Sequence, residues 1–225
     1  MPNIIRVWGD SLLKGVVFDE LRNRYAILKE NCIAALSSLL PCTIENNARM
    51  GCTAAEGIEL VEEAQPLPGA LALIEFGGND CDMQWAQIAE RPYGIHEPNT
   101  PLPVFIERLE ALVRRVRDAG MMPALAIPTP LHAQRYFDWV TRGLDRAAVL
   151  SFIGDVQYIY RWQESYAHAV SGVANRLNCA LLDLRTPFLT HPRYEELLCV
   201  DGMHPNADGH KLMLRTLAEG LPSAV

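Results

Sequence analysis

Two short segments near opposite ends of the chain, Gly9-Asp10-Ser11-Leu12 and Asp201-Gly202-Met203-His204-Pro205, together hold a hydroxyl, an imidazole and a carboxylate. A serine hydroxyl attacks a carbonyl carbon only when a positioned imidazole can take its proton. That imidazole works best when a carboxylate fixes its tautomer and steadies the imidazolium. Ser11 is therefore the candidate nucleophile, His204 the candidate base and Asp201 its orienting carboxylate. Asp201 and His204 are three residues apart, so a single tight turn can hold both. Pro205 disfavours helix at His204, and Asn206 to His210 reads as the start of a last helix with Leu212, Met213 and Leu217 on its apolar face.

Acyl transfer also needs donors for an oxygen that becomes negative. The segment Ile74-Glu75-Phe76-Gly77-Gly78-Asn79-Asp80 ends an apolar run with two glycines and an amide side chain. Gly78 lets a backbone approach a ligand closely, and Asn79 can donate to an oxyanion, a contribution of about 3 to 4 kcal/mol per donor in known cases. Gly51, after Asn46-Asn47-Ala48-Arg49-Met50, can supply a further backbone N–H. Taken singly, each string also reads as ordinary turn or capping chemistry; their joint occurrence is what carries the argument.

Other arrangements fit less well. The elbow Gly-x-Ser-x-Gly is absent around Ser11, since Leu12 and Leu13 follow it. Ser11-Leu12-Leu13-Lys14 spells Ser-x-x-Lys, but its usual companions Ser-Asp-Asn and Lys-Thr-Gly do not occur. Cys199, Asp201, His204 and His210 lack the spacing of a metal-binding motif, so no metal and no organic cofactor are expected. His210 reads as an exposed helix residue, His96 and His132 as residues of candidate pocket loops, and His168 and His191 as structural. A non-catalytic, flavodoxin-shaped module binding a small anion or flavin is the alternative of another class. It lacks a phosphate-cradling glycine loop.

The elements that must position these groups alternate. Strand-like runs at Ile4–Trp8, Thr43–Asn46, Ala70–Phe76, Met122–Ile127 and Cys179–Leu184 are separated by helical patterns at Glu30–Leu40, Ala54–Ala64 and Val104–Ala119. Such alternation predicts a parallel sheet with helices on both faces. Ligands of open parallel sheets bind beyond the carboxyl ends of the strands. Ser11, Asn47 to Gly51, Gly77 to Asp80 and Pro128 to His132 all fall there. Two longer stretches, 81–103 and 131–162, carry aromatic residues and read as inserts bordering the site.

The chain has 225 residues, of which 49% are apolar, and a mean hydropathy of +0.03, which suits one globular domain over 1–225. A net charge of −7, with acids and bases interspersed, offers no field for phosphate backbones or anionic lipid, so neither nucleic acid nor membrane insertion is expected. Apolar runs are short and broken by proline, and Met1-Pro2-Asn3 leads directly into the first strand, so a soluble cytoplasmic protein is expected. The six cysteines are scattered singly and read as free thiols.

Gly9-Asp10-Ser11-Leu12, Gly51, Gly77-Gly78-Asn79-Asp80 and Asp201-x-x-His204-Pro205 resemble, in order and strand context, the four sequence blocks of the SGNH hydrolases, or GDSL esterases and lipases. The resemblance spans nearly the whole chain. It implies a flavodoxin-like three-layer α/β/α sandwich on a five-stranded parallel sheet, with Ser11, His204 and Asp201 catalytic. It also implies an oxyanion hole made of the Ser11 and Gly51 N–H groups and the Asn79 side chain, with Asp10, Gly78 and Asp80 supporting. The expected reaction is hydrolysis of a small-molecule carboxylic ester through an acyl-enzyme. Carbohydrate O-deacetylation and lysophospholipase or thioesterase activity stay open, as does the oligomeric state.

Overall fold

A computed structural model describes residues 2–221. Strand β1 (Ile4–Gly9) and a single helical turn α1 (Ser11–Lys14) lead into a hairpin, β2 (Val16–Asp19) and β3 (Arg24–Ile27). Then follow α2 (Cys32–Leu39), β4 (Thr43–Asn46), α3 (Ala54–Glu63), β5 (Leu71–Glu75), α4 (Gly78–Cys81), α5 (Trp85–Glu90), α6 (Leu102–Asp118) and β6 (Met122–Ile127). The chain continues through α7 (Ala133–Val140), α8 (Arg146–Ile153), α9 (Gln157–Arg176), β7 (Ala180–Asp183), α10 (Thr186–Leu189), a 3-10 turn (Tyr194–Leu197) and α11 (Ala207–Gly220).

The sheet order is β4-β1-β5-β6-β7 with every pairing parallel. Numbered by first appearance in this sheet, that is 2-1-3-4-5, the flavodoxin-like order, whose switch point lies between the first and third strands. Side chains alternate across the sheet as the pleat requires. Ile5 and Val7 of β1, Leu71 and Leu73 of β5, and Ala124 and Ala126 of β6 pack on Ile33, Leu36, Met213 and Leu217 of α2 and α11. Trp8, Ile74 and Leu125 face the other way, onto Leu60 and Val61 of α3, Phe105, Leu112 and Val116 of α6, and Val170 and Val173 of α9. Three layers result, with both faces of the sheet covered. Among the described residues no helix is long and apolar enough to cross a membrane.

Two features depart from the sequence reading. Helix α1 after Ser11 stops after one turn, because Gly15 adopts a left-handed φ of 83° and its N–H closes back on Ser11 and Leu12, and the hairpin that follows was not read from the sequence. The β-branched pair Val16-Val17 then enters the antiparallel hairpin, with Val16 opposite Ile27 and Asp19 opposite Arg24. The inserts form a third apolar cluster, where Ile88 of α5, Phe137 of α7 and Val149 of α8 are buried together with Leu131 and Ile159. They are thus both a small core of their own and, along one edge, a wall of the site.

Candidate active site

Ser11 stands where β1 gives way to α1. Asp10 caps that turn, its Oδ1 accepting from the Leu12 N–H at 2.9 Å, which leaves the Ser11 side chain at the sheet's carboxyl rim. The other partners arrive on the loop before α11. That loop is pinned on several sides. The Cys199 N–H donates to the His204 carbonyl at 2.8 Å, the His132 N–H donates to the Gly202 carbonyl at 2.7 Å, and Asn206 caps α11 through the N–H groups of Asp208 and Gly209.

The three side chains form one hydrogen-bonded chain. Ser11 Oγ lies 2.9 Å from His204 Nε2, and His204 Nδ1 lies 2.7 Å from Asp201 Oδ2. The carboxylate at Nδ1 selects the tautomer with its proton there, so Nε2 is free to accept from the Ser11 O–H. Asp201 Oδ1 takes the N–H groups of Met203 and His204 at 3.0 and 3.1 Å. Burial alone would raise the Asp201 pKa. The His204 imidazole and these two N–H groups together outweigh it and hold the carboxyl below its usual range, so Asp201 stays ionised beside the imidazole.

Across from this chain, Asn79 sits at the start of α4, directly after β5. Its Nδ2 donates to Asp10 Oδ2 at 3.0 Å and to the Cys52 carbonyl at 3.1 Å. Both amide hydrogens are thus engaged, and the group reaches a further acceptor only by sharing or exchanging one of them. The Ser11 N–H, at the first position of α1, and the Gly51 N–H have no acceptor among the described residues. Asn46 holds the loop that carries Gly51, donating to the Leu13 carbonyl at 2.9 Å and accepting from the Ala48 N–H at 3.0 Å. Asp80 is buried under the N-terminus of α3, accepting from the Ala54 N–H, and burial raises its pKa to about 6.

These groups open into one cavity of about 190 Å³. Ser11, Gly51, Gly78, Asn79 and His204 line its polar side, while Met83, Trp85, Leu131, Tyr136, Tyr158, Ile159 and Trp162 from the two inserts line the other. The aromatic wall is organised by Asp82. Its Oδ1 accepts from Trp85 Nε1 and the Met83 N–H at 2.8 Å and from the Tyr136 hydroxyl.

Sequence reasoning overlooks three residues here: Tyr25, which reaches the cavity from the hairpin, Asp82, and Glu75 beneath Asp10. Only Glu75 leaves a signal in the sequence, as the lone acid of an apolar strand. Three histidines are corrected. His210 is buried, its Nδ1 facing the Cys32 N–H at 3.5 Å. His132 caps α7 and His96 bonds the Arg91 carbonyl, and neither lines the cavity.

Residues 7–212 match the GDSL-like lipase/acylhydrolase family. The chain belongs to that family, which makes it a serine carboxylic ester hydrolase. Its fold is shared by an acetylxylan esterase from Geobacillus stearothermophilus, with 18% identity over 97% of this chain and 94% of that one and a TM-score of 0.67. A lipase/acylhydrolase from Enterococcus faecalis has 17% identity over 98% and 96%, with a TM-score of 0.64. A lipolytic protein of the G-D-S-L family from Veillonella parvula has 14% identity over 96% of each chain, with a TM-score of 0.65. No curated protein is similar enough in sequence to match.

Proposed function

We propose that this protein hydrolyses short-chain carboxylic esters of small, uncharged alcohols through an acyl-enzyme on Ser11. The observation that carries the reading is the Ser11–His204–Asp201 hydrogen-bonded chain on the floor of a mostly apolar cavity. Ser11 Oγ attacks the ester carbonyl while His204 Nε2 takes its proton and Asp201 remains a carboxylate. The oxyanion is held by the Ser11 and Gly51 N–H groups and by Asn79, which exchanges one of its present acceptors for the new charge. His204 then protonates the departing alkoxide. A water activated by the same imidazole hydrolyses the acyl-enzyme and restores Ser11.

Size and charge narrow the substrate. A cavity of about 150 Å³ holds a benzene-sized group, so one of about 190 Å³ suits an acetyl-like acyl group with part of an alcohol better than a long acyl chain. Among the described residues no lysine or arginine lines it, whereas Asp10 and Asp82 do, which disfavours anionic leaving groups. Four rings, Trp85, Tyr136, Tyr158 and Trp162, offer stacking surfaces, and this favours a second reading, deacetylation of a sugar ring. The fold shared with the acetylxylan esterase is compatible with it.

The test has two arms. A fluorophosphonate should add once to the wild-type mass and not at all to Ser11→Ala; an unlabelled wild type would refute the mechanism. Rates on nitrophenyl esters of increasing chain length should fall steeply beyond the shortest, and release of acetate from acetylated xylo-oligosaccharides separates the two substrate readings.

A further inference from the structure

Glu75 ends β5, behind four buried apolar residues, Leu71 to Ile74. Its side chain has no exposed surface, and neither carboxyl oxygen receives a well-formed hydrogen bond from any N–H or O–H of the described residues. An ionised carboxylate in that position would be strongly destabilising, and a neutral acid far less so.

The motif glycines are shaped around this group and its neighbour. Gly9 is the register partner of Glu75 across the β1–β5 pair. A Cβ on Gly9 would come within 3.0 Å of the Glu75 carbonyl oxygen and 3.3 Å of its Oε2, and a Cβ on Gly78 would come within 3.1 Å of Asp10 Oδ2. Both glycines thus leave room for carboxyl groups, which makes the pair of acids part of the same construction as Ser11.

Asp10 follows Gly9, the register partner of Glu75, so the two buried carboxyls are close neighbours and each perturbs the other's titration. Two carboxyls that close, out of water, cannot both be ionised, so one proton must be held between them. The donors decide where it sits. Asp10 has the Leu12 N–H on Oδ1 and the Asn79 amide on Oδ2, both of which favour its charged form. Glu75 has no such donor among the described residues, and the other titratable groups acting on it are Asp80 and the Cys32 thiol. None of these is a cation. Burial, and then the negative charge of Asp10, push the Glu75 carboxyl well above the usual range, in keeping with the placement of the proton that the donors indicate.

We propose that Glu75 is a positioning residue for acyl transfer, a carboxylic acid whose O–H donates to the Asp10 carboxylate and so keeps Asp10 aimed at the Asn79 amide and the cap of α1. The proposal rests on the roles given above to Ser11 and Asn79. Glu75 itself does not line the cavity and touches no substrate. Its proton stays in place throughout the reaction.

The test pairs infrared difference spectroscopy of wild type against Glu75→Gln at neutral pH with kinetics on nitrophenyl acetate. The wild type should show the carbonyl stretch of a buried protonated carboxyl, missing from Glu75→Gln. Glu75→Gln keeps a donor toward Asp10 and should hold kcat within about threefold, while Glu75→Ala should lose about ten- to a hundredfold in kcat with KM nearly unchanged. Absence of the band, or wild-type kcat in Glu75→Ala, overturns the proposal. If the alanine variant does not fold, the band and the glutamine variant decide, and a Glu75→Gln kcat reduced more than about tenfold overturns it as well. A wild type that neither labels with fluorophosphonate nor turns over ester would refute the functional reading instead, and the infrared band would still judge the carboxyl pair.

Discussion

Tyr25 lies over the imidazole of His204, with ring centroids 5.1 Å apart and planes inclined at 59°. Its far side is held by Phe18 and Trp139, at 5.3 and 6.1 Å between centroids. The hairpin therefore brings an aromatic cover onto the His204 ring. Burial and the Asp201 charge both push the phenol pKa upward, so it remains neutral.

Excluding water strengthens the Asp201–His204 hydrogen bond by lowering the local dielectric. Tyr25→Phe keeps the ring and should hold kcat/KM within about threefold, whereas Tyr25→Ala admits water and should cost about tenfold. Steady-state kinetics on a short nitrophenyl ester measures both. Equal activity of Tyr25→Ala and wild type would show that the cover is irrelevant to the chemistry.

Asn79, proposed above to donate to the oxyanion, is tied to Asp10 by its amide. An amide that donates chiefly to a developing negative charge should affect kcat far more than KM. Asn79→Ala is expected to lower kcat by about a hundred- to a thousandfold with little change in KM. Loss confined to KM would mean that Asn79 binds the ester ground state and leaves the oxyanion to the backbone N–H groups.

What could be read in the sequence follows from how local each signal is. The parallel strands were legible because each is a short apolar run closed by turn residues, and Asp201 and His204 because three residues of spacing force them into one turn. The hairpin was hidden, since Leu12, Leu13, Val16 and Val17 continue a helix-like apolar pattern that only the conformation of Gly15 interrupts. Tyr25 could not be found from its neighbours in sequence, because its contact with His204 is entirely tertiary. His210 was within reach, for it shares a helical stripe with Met213 and Leu217, the buried face of α11.

Asp82 ties two rings of the cavity wall together. Asp82→Ala frees the Trp85 and Tyr136 donors and should raise KM for aryl esters by about three- to tenfold, leaving kcat within about threefold, since no reacting atom is touched. A fall in kcat as large as that for Asn79→Ala would instead assign Asp82 to the reaction itself.

His210 supplies a pH dependence of stability. Burial lowers its pKa from 6.5 to about 4, with the positive charge that His204 can carry as a further cause. Because the folded-state value lies below the unfolded one, the unfolded chain binds more protons between the two. The stabilisation from neutral His210 is thus complete above the unfolded value and is lost as pH falls toward the folded one. Asp80 works in the opposite sense. Its pKa is raised from 3.8 to about 6, so acidification through that window favours the folded state. The wild-type curve alone therefore mixes two effects, and the informative quantity is the stability difference between wild type and His210→Gln. Between about pH 7 and about pH 4.5 that difference should shift by roughly 2 kcal/mol in favour of the variant, measured by urea unfolding at each pH. A difference independent of pH would mean that His210 titrates alike in the folded and unfolded chains.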